Sequence, residues 1–458
     1  MKKAYRSSVV ALAASLALVA VGATPAFAKA PTVAQYLAND NVKTQPGSAV
    51  AMGGSSFDKN LVLAAYAAWT GQDSGKNGNS VSAYVSSSSG SGRANLLNST
   101  YGMGFSDVPL NAAGQDTSDT TAYAQIPVAL GGVALIYNLN SQSTASIAAV
   151  APNTGAASFD NLNVCKTALN SKTLILTNAE IAGIFAGTIT NWNNSAIVAS
   201  NPQYNVKVTV PKTAAAGSRA ETFTTGVINC LNYLTAEPIK LYDRAAGSGT
   251  TFILRDYLNG VASSTFTYPS SDNFTAATAD ESNSTGVAGA VSANDGGFGY
   301  VEQGYAIQNS NSVQVARIEV GSKIIALSAG SVTAAANLGL NAINANNACG
   351  GFSTDQPTTY VAANVNTACF TLDNAGGGAY PIVGVSYAIL KKSQSSQAAG
   401  ESAVKFLEYL TQTGQSLATA NYYVPLPKTI QALAFSLLET VKVPNGAGAP
   451  VQAVSTSL

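Results

Sequence analysis

The chain has 458 residues, 46% of them hydrophobic and only 10% charged, with 23 basic residues balanced by 23 acidic ones. It contains no histidine, which excludes Ser-His-Asp catalysis, His-ligated zinc and phosphohistidine intermediates. The absence of surplus positive charge argues against nonspecific nucleic-acid binding, and the apolar fraction is too high for a disordered chain.

Residues 1–28 read as an export leader. Lys2, Lys3 and Arg6 precede an apolar stretch from Val9 to about Val21, and Ala26-Phe27-Ala28 supplies the small residues that signal peptidase accepts. That stretch is too short to span a bilayer, and no later segment reaches the roughly 18 uninterrupted apolar residues a span needs. The first cysteine is Cys165, far from the cleavage site, so no lipid anchor on a mature N-terminal cysteine is expected. The remaining length suits two domains, or three smaller ones, at the usual ~100–200 residues each.

Strand-like and helix-like stretches then alternate, the pattern of an α/β fold with mostly parallel sheets. Residues 49–54 read as a buried strand ending in glycines. A helix is predicted over 57–69, its inner face formed by Leu61, Leu63, Ala64, Ala67, Ala68 and Trp69. Strands follow at 81–85 and 102–105. The apolar run 126–138, broken by Gly131-Gly132, is one kinked strand or two, and marks the first crossing between lobes. A capping box of Thr177 and Glu180 opens a helix predicted over 177–192. Residues 297–306 read as a returning strand, 380–391 as a core strand and 397–413 as a helix. The stretch 308–378, rich in Ala, Asn and Gly, carries no clear pattern.

Four cysteines in an exported chain point to two disulfides. Three pairings are possible; Cys165–Cys230 with Cys349–Cys369 is favoured, because each pair brackets a segment that reads as an added loop. No CxxC spacing supports a metal site.

The chemistry concentrates in residues 241–254. A short strand ends at Arg244, Gly247-Ser248-Gly249 follow, and a helix begins at about Thr250. Glycine lets backbone approach a ligand closely. A helix start offers unpaired N–H groups and positive partial charge. Serine and threonine add hydroxyl donors, and arginine grips two oxyanion oxygens at once. No GK[ST] follows, so this is not a nucleotide P-loop. Three further turns recur at strand ends: Gly53-Gly54-Ser55-Ser56-Phe57, the run 86–92 and Ser106-Asp107. The C-terminal ends of strands are where open α/β sheets bind ligands.

These residues resemble, in order, those of the phosphate-binding proteins of ABC phosphate importers, within the type II periplasmic binding protein fold. The matching segments are GGSSF (53–57), YVSSSSGSG (84–92), MGFSDVPLN (103–111), QIPVALGGVALIYN (125–138), LTNAEIAGIFAGTITNWNN (176–194), RAAGSGTTF (244–252), GGFGYVEQGYA (296–306) and YPIVGVSYAIL (380–390). The resemblance covers most of the chain after the leader, with insertions near 140–170, 205–238 and 310–375. It implies two α/β lobes around a cleft, the first from 29–138 and 305–458 and the second from 139–304. It also implies phosphate held by Ser56, the Phe57 N–H, Ser89, Asp107, Arg244, Ser248, Gly249 and Thr250. Asp107 would select a ligand that still carries a proton, because a carboxylate only accepts hydrogen bonds. The implied protein is a periplasmic monomer, possible further secretion aside, that passes inorganic phosphate to an inner-membrane ABC permease. Neither catalysis, metal nor cofactor is expected.

Two departures stand out. Where the family has an aspartate two residues after the arginine, buttressing its guanidinium, this chain has Ala246. The serine-glycine segment is also permuted, with Gly90-Ser91 where the family has Ser-Gly. Asp243 adjoins Arg244 but on a strand would face the other way. Competing readings are a secreted phosphatase, a structural or adhesive protein with a vestigial oxyanion site, and an acyl-transferase of penicillin-binding type. The last rests on Ser56-Phe57-Asp58-Lys59 and Ser271-Asp272-Asn273, and lacks a KTG triad.

Overall fold

The computed structural model describes residues 49–71, 81–110, 120–139, 159–211, 223–234, 237–245, 247–262, 279–310, 312–346, 378–445 and 448–452. The expected leader (1–28), the Cys349–Cys369 pair, Ala246 and Ser271-Asp272-Asn273 lie outside them.

The first parallel wing comes from β1 (Met52–Gly54), α1 (Lys59–Gly71), β2 (Val85–Ser86), α2 (Ser89–Leu97) and β3 (Met103–Ser106), with strand order β2-β1-β3. Every residue of β1 and β3 is buried, as in a parallel sheet covered on both faces. The chain leaves β1 at Gly54, whose φ of +139° lies where a side chain is strained. The inner face of α1 is Leu61, Val62, Ala65 and Trp69, a helical stripe rotated from the expected one. Ala67 is exposed, and Leu63, Ala64 and Ala68 lie at the margin. The Trp69 ring sets the rotation, packing 6.3 Å from Phe406 and 5.2 Å from Tyr409.

The run around Gly131-Gly132 forms a single strand, β4 (Tyr123–Tyr137). Next come α3 (Phe159–Ser171), β5 (Ile175–Thr177), α4 (Asn178–Phe185), α5 (Ser195–Ser200) and the hairpin β6 (Asn205–Pro211) and β7 (Phe223–Asn229). The Thr177–Glu180 capping box is present. However, α4 stops at Phe185 rather than running to 192, because Gly187 turns to φ +72°, a left-handed helix stop.

The second wing comprises β8 (Lys240–Arg244), α6 (Gly249–Ala262), β9 (Ala279–Glu281), α7 (Ser284–Ala293) and β10 (Gly297–Glu302), ordered β10-β8-β9 and parallel throughout. The returning strand ends at Glu302, where α8 (Gln303–Gln308) takes over. After it come β11 (Gln314–Val315), β12 (Arg317–Val320), β13 (Lys323–Ile325), α9 (Ala329–Asn346), β14 (Val383–Lys391), α10 (Gln397–Thr411) and α11 (Lys428–Leu438).

The two wings join through antiparallel pairs. β14 runs antiparallel to β3 and to Tyr123–Gly132 of β4, with Val128 bulged where the register shifts. β10 runs antiparallel to the remaining Val133–Tyr137 of β4. One strand therefore serves both wings, changing partner next to Gly131-Gly132. A smaller sheet, β13-β12-β5, flanks the second wing.

Cys165 on α3 bonds Cys230 as expected, with Cα atoms 5.3 Å apart and 65 residues between them in sequence. The bond ties the base of the β6–β7 hairpin to α3. Replacing both cysteines with serine should lower stability by about 2–4 kcal/mol, measured by urea unfolding with and without reductant. Reductant should destabilise the wild type more than the variant, by about that amount.

Candidate functional site

Four chain segments meet at the C-terminal ends of β1, β2, β3 and β8. At the centre is Asp107, 4% exposed, immediately after β3. Ser55 Oγ donates to its carboxylate, 2.7 Å from Oδ1 and 2.8 Å from Oδ2. Ser89 Oγ donates to Oδ2 at 3.1 Å and accepts from the Asp107 N–H at 3.0 Å. The start of α6 presses against the same carboxylate. A Cβ at Gly249 would collide with Ser89 Oγ and with the Asp107 side chain, so only glycine fits there without displacement.

Ser248 is buried, and its Oγ accepts from Thr251 N–H at 3.3 Å, capping α6. Thr250 is buried beside it. The run 86–92 is shorter as a loop than expected. Ser88 caps α2, accepting from Ser91 N–H at 3.2 Å, and Ser89 already belongs to the helix. Gly90 N–H donates to the Gly247 carbonyl at 2.8 Å, joining the two wings directly.

Arg244 ends β8 and is 2% exposed. Its Nη1 donates to Ser56 Oγ at 3.3 Å and to Ser284 Oγ at 3.0 Å, while its backbone N–H donates to Tyr300 Oη at 3.2 Å. Ser284 Oγ donates in turn to Glu302 Oε2 at 2.5 Å. Asp243 does face away, as strand alternation requires. It sits beside Asp280 of β9, and burial, reinforced by Asp280, pushes its carboxyl up to about 8.

All eight residues expected to bind the anion thus gather in one place. Several of these groups are engaged with the protein itself: Phe57 N–H with Ser55 Oγ at 2.9 Å, Ser89 Oγ with Asp107, and Ser56 Oγ with Arg244. Ser55 was not anticipated, since neither of two adjacent serines in a turn signals which one faces inward.

A second unanticipated layer lies behind Asp107. Asp58 is fully buried, with Tyr84 Oη at 2.8 Å and Ser386 Oγ at 2.7 Å. Burial, and then the charge of Asp107, hold the Asp58 carboxyl well above its ordinary range. Burial also raises Asp107, but bonds from Ser386, Ser55 and Ser89 and the charge of Arg244 pull it back. The one sequence signal is Ser386, the single serine in a mostly apolar strand.

What these groups can do is solvate a small oxyanion: one guanidinium, one helix start, several hydroxyls and a carboxylate that only accepts. Two parallel wings sharing a central strand, with such loops meeting between them, are the arrangement of the type II periplasmic binding protein fold. The profile of the PBP superfamily domain matches residues 27–413, and the chain belongs to that family. Among curated proteins it is 27% identical to the phosphate-binding protein PstS of Xylella fastidiosa strain Temecula1, over 79% of this chain and 78% of that one. It is 26% identical to PstS of X. fastidiosa strain 9a5c, over 86% and 88%. Among solved structures, a high affinity periplasmic phosphate-binding protein, PfluDING, superposes with a TM-score of 0.54 at 19% identity, covering 85% of this chain and 93% of that one.

The packing at Gly249 yields a direct test. Gly249→Ala should cost about 1–3 kcal/mol through overpacking. Gly260→Ala, on the same helix with nothing within 4 Å of the added methyl, should stabilise by roughly 0.5–1 kcal/mol. Urea unfolding of the two variants measures both.

Proposed function

We propose that this chain captures inorganic phosphate in its monoprotonated form and delivers it to an ABC permease, without turnover. The observation that carries the reading is the buried Asp107 carboxylate, hydrogen-bonded by Ser55 and Ser89 and set against the start of α6. An acceptor-only group repels an oxyanion that has no proton, such as sulfate at neutral pH, and receives a hydrogen bond from one that has. Arg244 and the helix start supply the attraction, through Ser56, Phe57, Ser89, Ser248, Gly249 and Thr250 around them. The names of the Xylella relatives point the same way.

The rest of the reading follows from this assignment. The protein works as a monomer in the periplasm, since a single chain supplies every group named. It closes two lobes, 29–138 with 305–458 and 139–304, about a hinge. That hinge lies at the crossings near 138 and 304, and the change of partner along β4 supports a crossing within this strand. The pairing of β12 with β5 draws residues 317–320 toward the second lobe, so the return path lies somewhat beyond 305.

Calorimetric titration with phosphate and sulfate tests the assignment. Asp107→Asn should lose discrimination by about ten- to hundredfold, the worth of one unpaired buried group. A variant that still rejects sulfate as the wild type does would remove Asp107 from the selective role. Arg244→Ala should weaken phosphate binding about a hundredfold or more, and unchanged affinity would place the site elsewhere.

A further inference from the structure

Arg244 poses a problem of charge. It is almost fully buried, and a guanidinium only donates. Among the described residues no carboxylate bonds it directly: its Nη1 reaches two hydroxyls, and its Nε has no acceptor. The aspartate that resembling chains place two residues later is Ala246 here. A buried cation needs a nearby anion and fixed geometry to be tolerated.

We infer that Glu302, acting through the Ser284 hydroxyl, is the positioning residue for Arg244, replacing the carboxylate absent at position 246. Ser284 accepts from Arg244 Nη1 at 3.0 Å and so has its own hydrogen to give to Glu302 Oε2. Glu302 is 4% exposed; burial raises its carboxyl, and the Ser284 hydrogen bond and then the charge of Arg244 work against that rise. Neither relay group is spent on ordinary helix capping. Asn283 Oδ1 caps α7, accepting from Gly286 N–H at 2.9 Å, which leaves Ser284 available. Glu302 occupies the cap position of α8 but makes no side-chain cap bond. The same strand holds the Arg244 backbone through Tyr300. The charge of Arg244 is thus felt at both Asp107 and Glu302.

This inference rests on the phosphate reading, and the experiment separates the two. Phosphate affinity is measured by calorimetry, and folding by thermal melting, for the wild type, Glu302→Gln, Ser284→Ala, and Glu302→Gln combined with Ala246→Asp. Glu302→Gln and Ser284→Ala should each weaken phosphate binding roughly tenfold or more, the worth of a charge-assisted hydrogen bond. Adding Ala246→Asp to Glu302→Gln should restore most of that loss, which a merely structural lesion would not permit. Wild-type affinity in Glu302→Gln overturns the inference, as does a loss that Ala246→Asp leaves untouched. Should Glu302→Gln fail to fold, Ser284→Ala decides: unchanged affinity overturns the relay, and a tenfold loss upholds it. A wild-type protein that binds no phosphate fells the binding reading, and this inference with it.

Discussion

Keeping the Asp107 carboxyl and the Arg244 guanidinium out of water within one cluster is the constraint around which this molecule is built. Each ion would cost several kcal/mol of lost hydration if left alone. Asp107 is held by two serine hydroxyls and Arg244 by two others. Behind each stands a further carboxyl: Asp58 behind Asp107, and Glu302 behind Ser284. The arrangement is asymmetric: Asp58 lies next to another acid, whereas Glu302 reaches a cation through one hydroxyl.

The sheet explains how separate parts of the chain reach this point together. Parallel strands all end on the same side, so β1, β2 and β3 deliver Ser55, Ser89 and Asp107 to one edge while β8 delivers Arg244 and the start of α6. The antiparallel strands β4, β14 and β10 link the wings. Tyr300 and Glu302, on the linking strand β10, reach the arginine at the end of β8. The support of the site is therefore part of the same element that joins the two halves.

Much of this was legible in the order of residues. A strand, a glycine turn and a helix start announce themselves locally, which is why 53–57 and 244–250 could be read without a structure. The Thr177–Glu180 box was equally plain. What failed were quantities set by tertiary contact. The face of α1 turned because Trp69 found aromatic partners more than 300 positions away, and α4 ended early at a glycine that periodicity alone did not register. Ser284, Glu302 and Asp58 gave no local sign, because a buried hydrogen-bonded polar group differs from a surface one only in its neighbours.

One contact bears on how the wings part. The amide of Gly90 and the carbonyl of Gly247 are bonded across the two wings, beside the cleft and with no side chain of their own. Any separation of the two wings therefore breaks a main-chain bond, one that no side-chain substitution deletes outright.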